Sequence, residues 1–290
     1  MSPSRLIGTS LRVEQTDIFD RAVRRRRRDR AAPGFADHDF VRRFIVEGLA
    51  DRLAGVTRSF EDVLDLGCAD GSFVPESARR VARIDAGFGF ARRAGGIQAD
   101  EDRLPFADAA FDLVVSAGVL DSVNDLPGAL ALARRALRPD GLFLAAFLGA
   151  GSLATLKAVF REAEGDRPVA RFHPLVDVRS AGDLLVRAGF ALPVADTEML
   201  TVRYRSLGTL LDDLRGMAAT NLMPARIGLR RKTLAKAAES FAARADADGR
   251  TTEQFEIVFM TGWAPAPSQP QPARRGSATA SLAAALRAKG

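Results

Sequence analysis

The sequence predicts an α/β fold, an open, mostly parallel sheet of seven strands with helices on both faces. Three observations carry that expectation. Short apolar runs alternate with helix-length amphipathic segments from about residue 62 to 148, the pattern of parallel strands joined by right-handed crossovers. The first run, Val63-Leu64-Asp65-Leu66, enters the turn Gly67-Cys68-Ala69-Asp70-Gly71, whose glycines permit positive φ and let bare backbone approach a ligand. A length of 290 residues with 47% hydrophobic content suffices for one large core.

In chain order, an arginine-rich helix is expected over 17–32, stopped by Pro33-Gly34, and a second helix over 37–54 with Phe40, Phe44, Ile45, Leu49 and Leu53 at helical spacing. Strand 62–67, helix 72–80, strand 81–85, helix 88–94 and a short strand 96–99 follow. Strand 112–117, helix 126–138, the turn Arg138-Pro139-Asp140-Gly141 and strand 142–148 continue the alternation. The second half offers helices 152–164 and 180–188, the latter with Ser180 and Asp183 at capping-box spacing and Gly189 behind it. Strand-like segments at 191–195 and 199–204, helices 206–218 and 229–244, and strand 255–260 close the fold. Three regions result: a basic helical arm over 1–55, a catalytic-type domain over 56–264 with helical decoration about 205–245, and a Pro/Gln/Ser/Ala-rich tail over 265–290 expected to be disordered.

Net charge is +6, and Arg24–Arg28 form an unbroken run of five. A solvated helix face and a docking surface for an acidic protein or anionic lipid both explain the run. Nucleic acid is not expected, because no aromatic stacking platform accompanies it. The single cysteine, Cys68, excludes an internal disulfide framework and suits a reducing compartment, for which cytoplasm is the expectation. Residues 1–16 lack the apolar stretch of a secretory signal, and no run of about 18 apolar residues suggests a membrane span.

Ligands of open parallel sheets bind outside the carboxyl ends of the strands. The first strand ends in the Asp65–Gly71 turn, with Gly67 and Cys68 inside it. The second ends in Asp85, suited to two ribose hydroxyls, and the third in Asp100-Glu101, suited to an adenine amino group. The fourth ends in Ser116-Ala117-Gly118, expected to line the pocket. Together they point to an adenosine-type ligand. A phosphate-cradling loop would place Lys and Ser/Thr after its glycines, whereas Gly71 precedes Ser72-Phe73-Val74. With Asp70 also in the turn, a cationic sulfonium with an amino-acid tail fits better than a pyrophosphate, which points to S-adenosylmethionine. His38 and His173, the only histidines, lie too far apart in sequence for a local ligand motif, and no metal is expected.

Val63–Gly71, Asp100-Glu101-Asp102-Arg103-Leu104-Pro105-Phe106, Phe111-Asp112-Leu113-Val114-Val115-Ser116 and Leu137-Arg138-Pro139-Asp140-Gly141 resemble successive motifs of the Rossmann-like class I S-adenosylmethionine methyltransferases. Leu185-Val186-Arg187-Ala188-Gly189-Phe190 resembles the helix end before that fold's sixth strand. Segments 18–21, 28–32, 123–127 and 275–278 are similar to one branch, whose members assist assembly of respiratory complex I and include a protein arginine hydroxylase. The resemblance implies an enzyme acting on a protein substrate, such as a complex I subunit. It carries cofactor roles to Asp65, Gly67, Gly71, Asp85, Asp100 and Ser116, and no catalytic base to any residue. Methyl transfer needs mainly a lone pair held in line with the sulfonium methyl, while hydroxylation needs an oxidant to which no motif here points.

Several positions depart from the family's pattern. Ala69 stands where a second glycine is usual, and the 14 residues from Gly71 to Asp85 (85 − 71) leave little room for the first helix. Asp121-Ser122 replaces a His-Trp pair, and Gly149-Ala150-Gly151-Ser152 replaces Gly-Gly-Asp-Thr. Three readings stay open: an enzyme acting on protein, a methyltransferase of small molecules or acyl-carrier-bound carboxylates, and a silent assembly scaffold. The Arg24–Arg28 helix and the 199–262 region are the expected partner-docking surface.

Overall fold

A computed structural model of the protein describes residues 17–269. Seven strands form one sheet in the order β3-β2-β1-β4-β5-β7-β6. These are β1 (Asp62–Leu66), β2 (Arg80–Asp85), β3 (Ile97–Gln98), β4 (Phe111–Ala117), β5 (Leu137–Leu148), β6 (Ala191–Tyr204) and β7 (Thr251–Trp263). Only β7 runs antiparallel to its neighbours, wedged between β5 and β6. The helices are α1 (Arg21–Ala31), α2 (Phe40–Ala54), α3 (Phe88–Arg93), α4 (Leu126–Ala136), α5 (Ala154–Glu164), α6 (Val178–Ala188), α7 (Leu207–Gly216) and α8 (Arg231–Ala242).

The period-two alternation of strand side chains sorts the core into two layers. Val63, Leu113, Val115, Leu144 and Phe259 face α2, α5, α7 and α8, where Ile45, Leu49, Val159, Leu210 and Phe241 meet them. Leu64, Leu66, Val114, Phe143 and Met260 face α4 and α6 through Leu130, Ala133, Ala181 and Leu185. Asp65 lies between Val63 and Gly67 in this alternation, so its carboxylate sits on the α2 side. Although grouped with the arm by its sequence position, α2 is thus part of the main core.

The expected helix over 72–80 does not form; residues 71–75 and 78 have no regular structure and 76–77 make a turn. Chain length explains this. β1 and β2 are parallel and start level, Asp62 beside Arg80, so the connection must return the length of β1, about 17 Å at ~3.3 Å per residue. The eight residues 72–79 would cover only about 12 Å as a helix at ~1.5 Å each. The chain therefore runs back extended and is pinned at the foot of β1, where Ser77 exchanges hydrogen bonds with the main chain of Phe60 (3.1 and 2.9 Å).

Smaller differences also have local causes. The cap of α6 is Asp177, which accepts from the Ser180 amide at 2.9 Å, rather than the Ser180–Asp183 pair. Gly189 ends α6 at φ +83° as expected. The Arg138–Gly141 turn is an irregularity within β5, with Asp140 at φ +63°. The two strands expected over 191–204 are one, β6. Of the tail, Ala266 is buried and Gln269 bonds Asp140 Oδ1 at 3.0 Å; residues 270–290, and with them segment 275–278, lie outside the described residues.

Candidate active site

The carboxyl ends of β1, β2 and β4 converge, as the topology requires, and the turn after β1 is tightly held. Gly67 and Cys68 both donate to the Ile84 carbonyl at 2.9 Å. Gly67 adopts φ +73°, and a Cβ there would stand 2.2 Å from Val119 Cγ2, so glycine is demanded twice over. Ala69 has φ +46°, a left-handed conformation that costs an L-residue about 1 kcal/mol. The Cys68 thiol is buried and burial pushes its pKa up, which leaves it an inert packing group.

Asp65 is fully buried, and neither carboxylate oxygen has a partner among the described residues. Burial pushes its pKa up to about 6, against the opposing pull of Arg42 and Arg83. Arg42, from α2, is buried beneath the turn and ties it together. Its guanidinium donates to Asp70 Oδ1 (2.8 Å), to the Cys68 carbonyl (2.7 Å) and to the Ala117 carbonyl at the end of β4 (2.9 Å).

The remaining acids are engaged by α1. Asp85 is fully buried and takes a bidentate pair from Arg28, Nε to Oδ1 at 2.6 Å and Nη2 to Oδ2, together with the amides of Gly87 (2.8 Å) and Ala69 (3.1 Å). Burial opposes the charge on Asp85, but Arg28 prevails and holds the carboxyl below its usual range. Arg24 clasps Glu101 at 2.7 and 2.9 Å, Arg21 clasps Asp102 at 2.8 and 2.7 Å, and Arg25 reaches Asp100 at 2.6 Å. The arginine run is therefore not one solvated face. Arg24 and Arg28 point inward, one helical turn apart, while Arg26 lies outward. Backbone packing reinforces the contact, since a Cβ on Gly87 would meet Arg28 Cβ at 2.6 Å.

Ser116, expected to line the pocket, is turned away: its Oγ donates to the Leu66 carbonyl at 3.0 Å, and its neighbours Ala117 and Gly118 line the cavity instead. That cavity, about 60 Å³, also collects residues for which the sequence offered no local motif. Both histidines reach it, although they are 135 positions apart (173 − 38). His38 Nδ1 is 2.7 Å from Asp213 Oδ1 on α7. His173 is held neutral at pH 7 because burial lowers its pKa to about 4. Asp121, in the wall just after β4, is pushed up to about 7 by burial, with Arg24 opposing. No group of three or more His, Cys, Asp or Glu suited to a metal occurs among the described residues.

A family model described as a methyltransferase domain matches residues 37–193. The chain belongs to that family. The mitochondrial arginine-hydroxylase NDUFAF5 of Danio rerio is 33% identical over 92% of this chain and 89% of its own length. The human protein of that name is 34% identical over 92% and 82%. A malonyl-[acyl-carrier protein] O-methyltransferase from Methylovorus is 31% identical over 86% and 90%. The YcgJ protein of Bacillus subtilis shares the fold, with a TM-score of 0.55 at 14% identity over 76% of this chain and 99% of that one. The cytoplasmic expectation is overturned by the first two relatives, which are mitochondrial by name. One cysteine indicates a reducing environment, which does not separate one such compartment from another.

The family's cofactor is S-adenosylmethionine, and the donor set here suits it chemically. Asp85, Asp100 and Glu101 are buried acidic acceptors at the strand ends, and Asp65 is a buried carboxylate beside the turn without a partner among the described residues. All three strand-end acids are already engaged by α1, however: Asp85 by Arg28, Glu101 by Arg24 and Asp100 by Arg25.

Proposed function

We propose that the chain is an S-adenosylmethionine-dependent enzyme of methyltransferase fold that modifies a protein substrate during assembly of respiratory complex I. Alignment with NDUFAF5 proteins over 92% of the chain is the observation that carries this reading. The bound cofactor would supply a methyl group made electrophilic by its sulfonium. The chain's own residues would hold and orient it: Asp85 at the ribose, Asp100 and Glu101 at the adenine, Asp65 and the Gly67–Gly71 backbone at the amino-acid end. Asp121, whose carboxyl pKa is raised by burial, faces the cavity together with His38, which Asp213 orients. Val119 and the α1 helix exclude water from the turn.

Two measurements test the reading. Calorimetric titration with S-adenosylmethionine should give saturable binding that Asp85→Ala abolishes. Mass spectrometry of complex I subunits from cells lacking the protein should show one modification, methyl or hydroxyl, that returns on complementation. A protein that restores complex I without binding the cofactor or altering any subunit would instead be a silent scaffold. That second reading draws support from α1, whose arginines occupy the acids, and from the missing helix after Gly71. An acyl-carrier substrate, as in the Methylovorus relative, would reveal itself by methylation of a carrier-bound carboxylate.

A further inference from the structure

A second cavity, about 340 Å³, opens on the outer side of α1, a volume typical of ligand sites. Its apolar walls are Leu156 and Phe160 on α5, Leu211 and Leu214 on α7, and Leu229 beyond it. Among the described residues every charged group in the lining is an arginine: Arg27, Arg171 and Arg226. Arg171 is neutralised by buried Glu164, with Nε 2.7 Å from Oε1. Arg226 approaches Asp20 only to 3.6 Å. Arg27 has no carboxylate partner among the described residues and donates to the Asn221 carbonyl. Burial, and then the charges of Arg226 and Arg30, hold its guanidinium below the ordinary arginine value. A half-buried cation among like charges is relieved by an anion.

Shared walls connect this cavity to the site described above. A chamber of about 40 Å³ has Leu153, Phe172, Ala219 and Asn221 in common with it. The same chamber has Asp121, Leu148, His173 and Ala219 in common with the cavity over the turn. A further cavity of about 370 Å³ adjoins along Phe160, Arg171 and Phe172, with Lys157, Arg161 and Arg167 around it and Glu164 held between Arg167 and Arg171. Ile227, 53% exposed, and Leu229, 40% exposed, add apolar surface at the mouth. Two ligand-sized cavities side by side make a groove with room for several side chains of an extended peptide.

We propose that this groove anchors the substrate: an acidic side chain of an extended peptide segment binds Arg27 and Arg226, with its apolar neighbours against Leu156, Phe160 and Leu214. The residue to be modified then extends past Phe172 toward Asp121 and His173. The inference rests on the protein-substrate reading and adds to it a substrate class, an acidic-apolar segment.

The test uses the full chain and two fluorescein-labelled peptides, Leu-Glu-Leu-Glu-Leu and Leu-Lys-Leu-Lys-Leu, read by anisotropy. The acidic peptide should bind at least about tenfold more tightly, and Arg226→Glu and Arg27→Glu should each erase the preference. Arg226 lies in an exposed loop, so its variant reports even where Arg27→Glu fails to fold. Equal binding of the two peptides, or a preference that survives both reversals, overturns the proposal. So does binding of octanoate in competition with 8-anilinonaphthalene sulfonate when neither peptide binds, since that marks an acyl site. Titration with S-adenosylmethionine runs in parallel. A chain that holds the acidic peptide but no cofactor keeps this inference and sinks the enzymatic reading.

Discussion

Replacing Arg28 with alanine should weaken the fold and tighten the cofactor site at the same time. The substitution removes a bidentate pair from Asp85 and a guanidinium 4.8 Å from the Phe90 ring centroid. Breaking a buried pair by deleting one partner costs about 3–5 kcal/mol, because the other charge stays buried. The two amide bonds from Gly87 and Ala69 remain, so the low end, about 3 kcal/mol, is expected, or a melting temperature lower by roughly 6–12 °C. With the ribose at Asp85 as proposed, a ligand of the parent must first displace Arg28 and lose that same pair. In the variant two ribose hydroxyls meet a carboxylate lacking a counter-charge, and each such bond contributes about 1.5–3 kcal/mol. Even half of the pair's energy, about 1.5 kcal/mol, makes binding roughly tenfold tighter. Calorimetry with S-adenosylmethionine and S-adenosylhomocysteine reads the affinity. Hydrogen exchange over residues 21–31 should rise in the parent when ligand is added. Weaker binding in Arg28→Ala, with exchange in α1 unchanged by ligand, would show that Arg28 supports the ligand rather than competes with it.

Other expectations are as direct. Ala69→Gly removes a left-handed alanine at φ +46° and should stabilise by about 1 kcal/mol, measured by urea denaturation. Gly67→Ala places a Cβ 2.2 Å from Val119 and should destabilise by about 3 kcal/mol or more in the same assay. Asp121, near 7 when folded and about 3.9 when unfolded, binds more protons in the native state between those values. Its burial therefore erodes stability as pH rises from about 4 to 7. Asp121→Asn should remove that slope and gain on the parent by on the order of 1–3 kcal/mol at pH 8 but little at pH 4. A constant difference across that range would refute the assignment.

Much of the sheet was legible because its signals are local. Short apolar runs in β4, β5 and β7 and the Gly67 and Gly71 turn each announce themselves within a few positions. The helix after Gly71 was misread for the opposite reason: Asp70 and Ser72 make a sound helix start, 2.7 Å between Oδ1 and Oγ, but the length available before β2 overrules it. The acids at the strand ends were found, yet their partners were not. Nothing in Arg24–Arg28 says which arginines turn inward until α1 is laid across Gly87. His38, His173, Asp121 and Asp213 likewise carry no mutual spacing and meet only through the packing of α2, α7 and the loop before α6.

The pairing of α1 with the strand-end acids also sets an order of events during synthesis. Arg28 precedes Asp85 by 57 residues, and Arg24 precedes Glu101 by 77. At about 5–20 residues per second, the nascent chain displays the arginine run for roughly 3–15 s before the carboxylates that Arg28 and Arg24 bind exist outside the ribosome. During that interval the helix is a polycation beside ribosomal RNA and anionic lipid, held back from the sheet it will later close. Codon choice or a pause between residues 30 and 100 would lengthen this exposure, so yield of soluble protein should depend on translation speed through that stretch and not on the finished fold alone.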